Sequence, residues 1–133
     1  MTEPLFLTLA EAIEIHGDVI TRYGGLMGVR DYGLLEAALS VPKASFDGRY
    51  LHEDIFEMAA AYLFYICRDH PFVDGNKRAA LVCALVFLDL NGVIIEDPEE
   101  TLFGLTTRVA SGNADKAEIA GVFRKLAKTE TRE

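Results

Sequence analysis

The sequence predicts an all-α fold, a compact bundle of about six helices, on two observations. Apolar residues recur at the spacing of helical turns along most of the chain, and almost no segment alternates as a half-buried strand does. Half of the 133 residues are hydrophobic, which is enough for a buried core, and this length predicts a single domain over residues 1–133.

The first helix is predicted over Thr8 to Tyr23, where apolar residues form one stripe and acidic residues lie elsewhere on the wheel. Gly24-Gly25 ends it, since glycine readily takes the left-handed conformation that closes a helix. His16 lies on the apolar stripe, where a packed or hydrogen-bonded histidine is favoured over a ligand.

A short second helix is predicted from an N-cap at Asp31 to about Ser40, because Pro42 disfavours the helical conformation at the residue before it. Lys43 to His52 is then expected to be a surface loop. Its turn is placed at Asp47-Gly48, two residue types that suit tight turns.

The third and fourth helices are the most apolar and are predicted over Glu53 to Asp69 and about Asn76 to Asn91. The third carries no charge from Met58 to Cys67, and the fourth is apolar from Ala79 to Leu88. A helix that is apolar nearly all round is buried on most sides, so we expect these two at the centre of the bundle.

The last elements are predicted mainly from capping residues. Val93-Ile94-Ile95 indicates a brief extended piece. Asp97 is expected to cap the fifth helix, with Pro98 at its first position, and Asp115 to cap the sixth. The polar tail from Lys128 is expected to fray.

The charge balance narrows the possible partners. The chain carries 21 acidic and 13 basic residues, a net charge of -8, which argues against a nucleic-acid-binding surface. The apolar stretch Ala79 to Leu90 contains Asp89 and is shorter than the ~20 residues that cross a bilayer, so no membrane partner is expected. Because Met1 to Pro4 shows no secretory signal, we expect a cytoplasmic protein with Cys67 and Cys83 as reduced, buried thiols.

The segment Arg68 to Arg78, between the two apolar helices, carries the densest set of polar side chains. A plain helix–loop–helix connection, with Asp74 or Asn76 as the N-cap, is one interpretation. The combination of residues in this segment favours a second interpretation, a binding site. At Gly75-Asn76 the fourth helix begins, and its free N–H groups, with the positive end of the helix dipole, form an anion site.

Lys77 and Arg78 add two cations to this first turn, where cations are disfavoured unless something negative offsets them. A polyphosphate is the natural candidate. Asp74 supplies the hard oxygen ligand that magnesium bound to phosphates requires, and His70 can accept a proton from an attacking hydroxyl. Phe72 is expected to anchor the loop to the core.

The segment resembles the signature of the Fic/Doc superfamily, HxFx(D/E)(G/A)N(G/K)R, which it matches as HPFVDGNKR over residues His70–Arg78. The resemblance extends over nearly the whole chain. The stretches Tyr23–Gly25, Gly28–Asp31 and Gly33–Glu36 look like those of the compact Doc (death-on-curing) toxins. The resemblance implies the Fic/Doc fold, with this loop between two buried central helices.

The resemblance implies three catalytic residues. His70 would activate the target hydroxyl, and Asp74 would hold Mg²⁺ or act in its shell. Arg78 would neutralise charge on the transferring group, where electrostatic positioning does most of the catalytic work.

The resemblance also implies the contacts to ATP. Gly75 and Asn76 would cradle phosphate through backbone and amide groups, and Lys77 would join Arg78 in neutralising its charge. Arg68 is either a further ligand in the same pocket or a solvated arginine at a helix end.

The implied function is that of a toxin in a type II toxin–antitoxin system. It would be a Doc-like kinase that transfers the ATP γ-phosphate to a Ser or Thr of a host protein, with elongation factor Tu expected, and so inhibits translation. Lys77 and Leu81, where Fic adenylyltransferases usually carry Gly and a second Arg, both resemble Doc. The alternatives are Fic-type AMP transfer and a non-catalytic module that binds a partner.

The sequence contains no (S/T)xxxE(G/N) pattern, the autoinhibitory pattern of many Fic proteins, so the inhibitor is expected to be a separate chain, and the resemblance to Doc implies a Phd-type antitoxin. Its C-terminal segment would fold as a helix into a groove. By analogy with Fic proteins, Lys43 to His52 is either a flap that docks the target or a plain connector.

Overall fold

In the computed structural model, residues 3–129 are described, and helices form most of this part of the chain. The helices are α1 (Leu9–Tyr23), α2 (Tyr32–Ser40), α3 (Ile55–Asp69), α4 (Asn76–Leu90), α5 (Thr101–Ala110) and α6 (Lys116–Leu126). The strands are β1 (Ser45–Phe46), β2 (Arg49–Tyr50), β3 (Val93–Ile95) and β4 (Ala127–Thr129), paired antiparallel as β1–β2 and β3–β4. The six-helix prediction is confirmed, and of the strands only β3 is predicted from the sequence.

Helix α3 lies at the centre of the bundle, as its apolar sequence predicts. It packs against α2, α4, α5 and α6, and its most extensive contact is with α4. Small side chains let these two helices approach closely, and large aromatic ones fill the space around them. The fully buried members of this core include Ala59, Ala60, Ala61, Tyr62, Ala79, Ala80, Ala84, Phe87 and Phe123.

The early helices begin at side-chain caps close to their predicted starts, and of these caps only Asp31 is predicted from the sequence. Thr8 caps α1 in a reciprocal capping box, and the carboxylate of Asp31 caps α2. Helix α3 begins at Ile55 rather than at Glu53, because the carboxylate of Asp54 is the group that accepts a first-turn N–H.

Helix α5 begins later than the sequence predicts. Pro98 is predicted at its first position, but the helix begins at Thr101. Glu100, not the predicted Asp97, occupies the N-cap position, but the two carboxylate oxygens of Asp97 accept the N–H groups of Thr101 and Leu102, each at 2.8 Å. The predicted start is wrong because a turn intervenes, in which the Glu100 N–H donates to the Asp97 carbonyl and Glu100 takes a φ of 54°.

The predicted fraying from Lys128 is wrong for the part of the tail that the structure describes. Lys128 lies in β4, opposite Ile94 of β3, and its Nζ lies 3.0 Å from a carboxylate oxygen of Glu96. A lone strand leaves its main-chain groups unpaired, so β3 gains from a partner strand even when that partner is polar. Residues 130–133 of the predicted tail lie outside the described residues.

The segment predicted as a surface loop, Lys43 to His52, contains a β-hairpin. Asp47 and Gly48 form its turn with φ values of 53° and 77°, the positive pair that a type I′ hairpin turn requires. Phe46, beside the turn, is 77 % exposed. Docking of a target by this hairpin stays a prediction.

Both cysteines are free and buried, as predicted. Burial raises the pKa of Cys67 to about 11, although Lys77 opposes this, and raises the pKa of Cys83 to about 12. Neither thiol is therefore a nucleophile at neutral pH.

None of the helices within residues 3–129 is long and apolar enough to cross a bilayer.

Candidate active site

The signature loop joins the C-terminus of α3 to the N-terminus of α4. His70 ends α3 in the left-handed conformation, with φ 48° and ψ 57°, and Gly75 precedes α4 with φ 71° and ψ 22°. The left-handed conformation costs a non-glycine residue about 1–2 kcal/mol. Contacts around the loop must therefore hold His70 in place.

Asn76 closes the loop on itself. Its Oδ1 accepts the Phe72 N–H at 2.9 Å, and its Nδ2 donates to the Phe72 carbonyl at 3.0 Å. Phe72 is 1 % exposed and belongs to the core, as expected of an anchor. The family resemblance implies a phosphate contact for Asn76, and here its amide oxygen and its amide nitrogen are each bonded to Phe72.

His16 supports the loop from α1. It is 3 % exposed, and its Nε2 donates to the Asp74 carbonyl at 2.7 Å. Its ring stacks on Phe72, with centroids 4.0 Å apart and planes 1° from parallel. The prediction of a packed, hydrogen-bonded histidine is confirmed.

Two main-chain donors orient the Asp74 carboxylate. Oδ2 accepts the Leu26 N–H at 3.1 Å, and Oδ1 accepts the Gly75 N–H at 2.9 Å. A Cβ on Gly25 would lie 2.7 Å from Oδ2, so the chain passes this close only because residue 25 is glycine. Asp74 is exposed, which leaves its remaining lone pairs open to a ligand.

Two cations lie beside the N-terminus of α4, the positive end of its helix dipole. Among the described residues no side chain caps this helix, which leaves the N–H groups of its first turn available to a ligand. Lys77 and Arg78 are exposed here, and within residues 3–128 neither forms an ion pair. The Arg78 guanidinium lies 4.1 Å from the ring centroid of Tyr23 and 5.5 Å from that of Phe103, as in cation–π contacts.

One cavity of about 470 Å³ brings most of the predicted site together. The predicted residues that line it are His70, Asp74, Gly75, Asn76, Lys77 and Arg78. Arg68 lines a neighbouring cavity instead, with its Nε 2.9 Å from Asp69 Oδ1 and its guanidinium 4.7 Å from the centroid of the Tyr65 ring. Of the two interpretations of Arg68, the geometry favours the arginine at a helix end.

Sequence reasoning misses two contributors to this site. Tyr23 belongs to the predicted apolar stripe of α1, yet it is exposed and lies against Arg78. The Arg30 side chain donates to the carbonyl oxygens of His70 and Asp69, at 2.8 and 2.9 Å. The only signal for either is that both lie in stretches that resemble the Doc toxins.

This fold and loop place the chain in a known class. The model of the Fic/DOC family matches residues 6–88, which contain the entire signature loop. The chain therefore belongs to the Fic/DOC family.

Its similarity extends to two named Doc proteins. It is 41% identical over 119 residues to "Protein kinase doc" of Escherichia phage P1, covering 87% of this chain and 90% of that protein. It is 38% identical over 122 residues to "Toxin Doc" of Mycolicibacterium smegmatis, covering 84% of this chain and 93% of that protein.

Proposed function

We propose that the protein is a Doc-type toxin kinase, which transfers the γ-phosphate of ATP to a Ser or Thr hydroxyl of a host protein in the cytoplasm. The observation that carries this proposal is one cavity in which an exposed histidine, an oriented carboxylate and an uncapped helix N-terminus meet. The names of the phage and mycobacterial relatives, a kinase and a toxin, support the same activity.

The start of α4 is the proposed binding site for the ATP phosphates. Backbone N–H groups of its first turn would donate to phosphate oxygens, helped by the helix dipole and by Lys77 and Arg78. Gly75 lets the start of α4 lie close to α1, since a Cβ there would lie 2.9 Å from Ile20 Cδ1.

In the proposed reaction, a ring nitrogen of His70 accepts the proton of the attacking hydroxyl. The hydroxyl oxygen forms a bond to the γ-phosphorus. The bond from this phosphorus to the β,γ-bridging oxygen breaks, and ADP leaves with that electron pair. Lys77 and Arg78 stabilise the charge on the transferring phosphoryl group.

The Asp74 carboxylate fits a Mg²⁺ ion that enters with ATP. Mg²⁺ is commonly bound by one or two carboxylates together with phosphate oxygens and waters. Asp74 offers one exposed carboxylate beside the anion site, oriented by the N–H groups of Leu26 and Gly75. When bound, the ion would neutralise phosphate charge. Within the described residues, no three metal-binding side chains cluster, so Asp74 is the proposed protein ligand.

Two residues favour phosphoryl over nucleotidyl transfer. Lys77 places a long side chain where Fic adenylyltransferases usually carry glycine, and it lines the cavity. Leu81, one turn further along α4, lines an adjacent apolar cavity and cannot bind phosphate as a second arginine would.

The deciding experiment incubates the protein with elongation factor Tu and ATP labelled at the γ or the α position. We expect label in elongation factor Tu from the γ position only, and none with His70→Ala or Asp74→Ala. Label from the α position alone would establish nucleotidyl transfer instead.

A second cavity, of about 620 Å³, supports a helical antitoxin as partner. It shares Tyr23, Arg78 and Phe103 with the site and is otherwise lined mainly by apolar residues of α4 and α5. The apolar face of a Phd-type antitoxin helix suits such a groove and would cover Arg78.

We expect expression of the protein to arrest growth, and the antitoxin to relieve the arrest. Arrest that persists with His70→Ala would identify a non-catalytic binding module.

A further inference from the structure

We infer that Arg30 is a positioning residue for His70, an inference that rests on the proposed role of His70 as the base. Its Nε donates to the His70 carbonyl at 2.8 Å and its Nη2 to the Asp69 carbonyl at 2.9 Å. Its main-chain N–H donates to the Pro71 carbonyl at 2.7 Å. One residue therefore binds three successive carbonyl groups at the start of the catalytic loop.

His70 needs this support because its conformation is disfavoured on two counts. It is a non-glycine residue at φ 48°, and it directly precedes Pro71, whose ring favours an extended residue before it. Such a conformation persists only where the surroundings over-determine it. Within the described residues no hydrogen bond holds the His70 side chain, so the position of its Cβ, which the backbone sets, limits where the imidazole can lie.

The guanidinium extends from a segment that is itself fixed on both sides. Val29 forms an antiparallel bridge with Phe72, and Asp31 is the N-cap of α2. Arg30 lies between them and ties the end of α3 to the start of α2. A cation is also favoured at this point, because the C-terminus of α3 carries the negative end of the helix dipole.

The role of Arg30 in positioning can be separated from a role in folding. Asp69 is only half-buried and His70 is exposed, so water can replace the guanidinium at both carbonyl groups. Loss of the side chain should therefore change stability little while widening the range of positions that His70 visits. A misplaced base lowers kcat without a matching change in the affinity for ATP.

The test compares Arg30→Ala and Arg30→Lys with Arg124→Ala. Arg124 is a matched control, an exposed arginine that joins α6 to the start of α3 through Asp54 at 2.9 Å and Glu57 at 3.5 Å. For γ-phosphate transfer we expect Arg30→Ala to lower kcat roughly tenfold to a hundredfold, with the KM for ATP within about twofold of wild type. The kcat of Arg30→Lys should lie between those of Arg30→Ala and wild type, and the kcat of Arg124→Ala should match that of wild type.

Two further measurements keep the inference separate from the proposed function. Millimolar guanidinium should restore part of the kcat of Arg30→Ala by reoccupying the vacated site. The ¹⁵N backbone order parameter of residue 70, measured without substrate, should fall from the ~0.85 of a rigid backbone in Arg30→Ala but not in Arg124→Ala.

The outcomes divide cleanly. An unchanged order parameter, or a loss of kcat that guanidinium does not restore and that accompanies a larger fall in Tm than in Arg124→Ala, overturns the role of Arg30. A wild-type protein that transfers no phosphate overturns the proposed function instead, and the order parameter then decides the positioning of His70 by itself.

Discussion

His16 and Asp74 are joined by a hydrogen bond from the buried imidazole of α1 to a main-chain carbonyl of the signature loop, at 2.7 Å and 58 residues apart in sequence. Because a carbonyl only accepts, Nε2 must carry the proton. The same ring stacks on Phe72, whose N–H and carbonyl are bound by Asn76. The first helix therefore holds the peptide that carries the proposed metal ligand.

Substitution of His16 should loosen this peptide. His16→Ala leaves the part-buried Asp74 carbonyl without its donor, and we expect the free energy of unfolding to fall by about 2 kcal/mol in urea denaturation. His16→Gln retains an N–H donor and should recover part of the loss. A His16→Ala protein as stable as wild type would show that the hydrogen bond contributes nothing.

A methyl group at position 25 should act on the Asp74 carboxylate directly. Gly25 and Gly28 have matching φ values of 119° and 120°, so an alanine at either strains the backbone by about 1–3 kcal/mol. Only the Cβ of Gly25→Ala meets the carboxylate, at 2.7 Å, whereas that of Gly28→Ala meets Val73 Cγ2 at an ordinary 3.5 Å. The Mg²⁺ concentration for half-maximal phosphate transfer should therefore rise in Gly25→Ala and not in Gly28→Ala. The same rise in both would attribute the effect to backbone strain.

The helix caps could be predicted from the sequence because a cap is a local event. At Asp31 and Asp115 a carboxylate accepts an N–H three residues further on, and the sequence places both correctly. The Asp97 carboxylate instead accepts the N–H of Thr101 across an intervening turn. A short sequence pattern cannot distinguish this arrangement from a helix that begins directly after Asp97. The pairing of β3 with β4 depends on the path of the chain between them and was equally hidden.

The candidate site likewise has one part that the sequence predicts and another part that it does not. Its cavity-lining loop residues are contiguous in sequence, so their combination could be recognised as a motif. Their supports could not be, because His16 and Arg30 bind main-chain carbonyls, and every residue type has one. Arg68 shows the converse, since it lies two residues before His70 in sequence but outside the cavity.

Replacing Tyr23 should test its contact with Arg78. The guanidinium lies 4.1 Å from the ring centroid, and an exposed cation–π contact is worth about 0.5–1 kcal/mol. If it orients Arg78 towards phosphate, Tyr23→Leu should raise the KM for ATP about two- to fivefold. Tyr23→Phe keeps the ring face and should match wild type. A comparable rise in both variants would assign the effect to the tyrosine hydroxyl.

His52 should make stability depend on pH below neutrality. Its Nδ1 is buried and has no partner within the described residues, and burial, together with the charge of Lys116, lowers its pKa although Glu57 opposes this. The unfolded chain then binds the proton more readily than the folded one below a pH of about 6.5. The contribution of neutral His52 to the free energy of unfolding is therefore complete above that pH. It is lost as the pH falls through the lower pKa of His52 in the folded state. Urea midpoints at pH values of about 7.5 and 5.5 should differ more in wild type than in His52→Gln, and equal differences would show that another group is responsible.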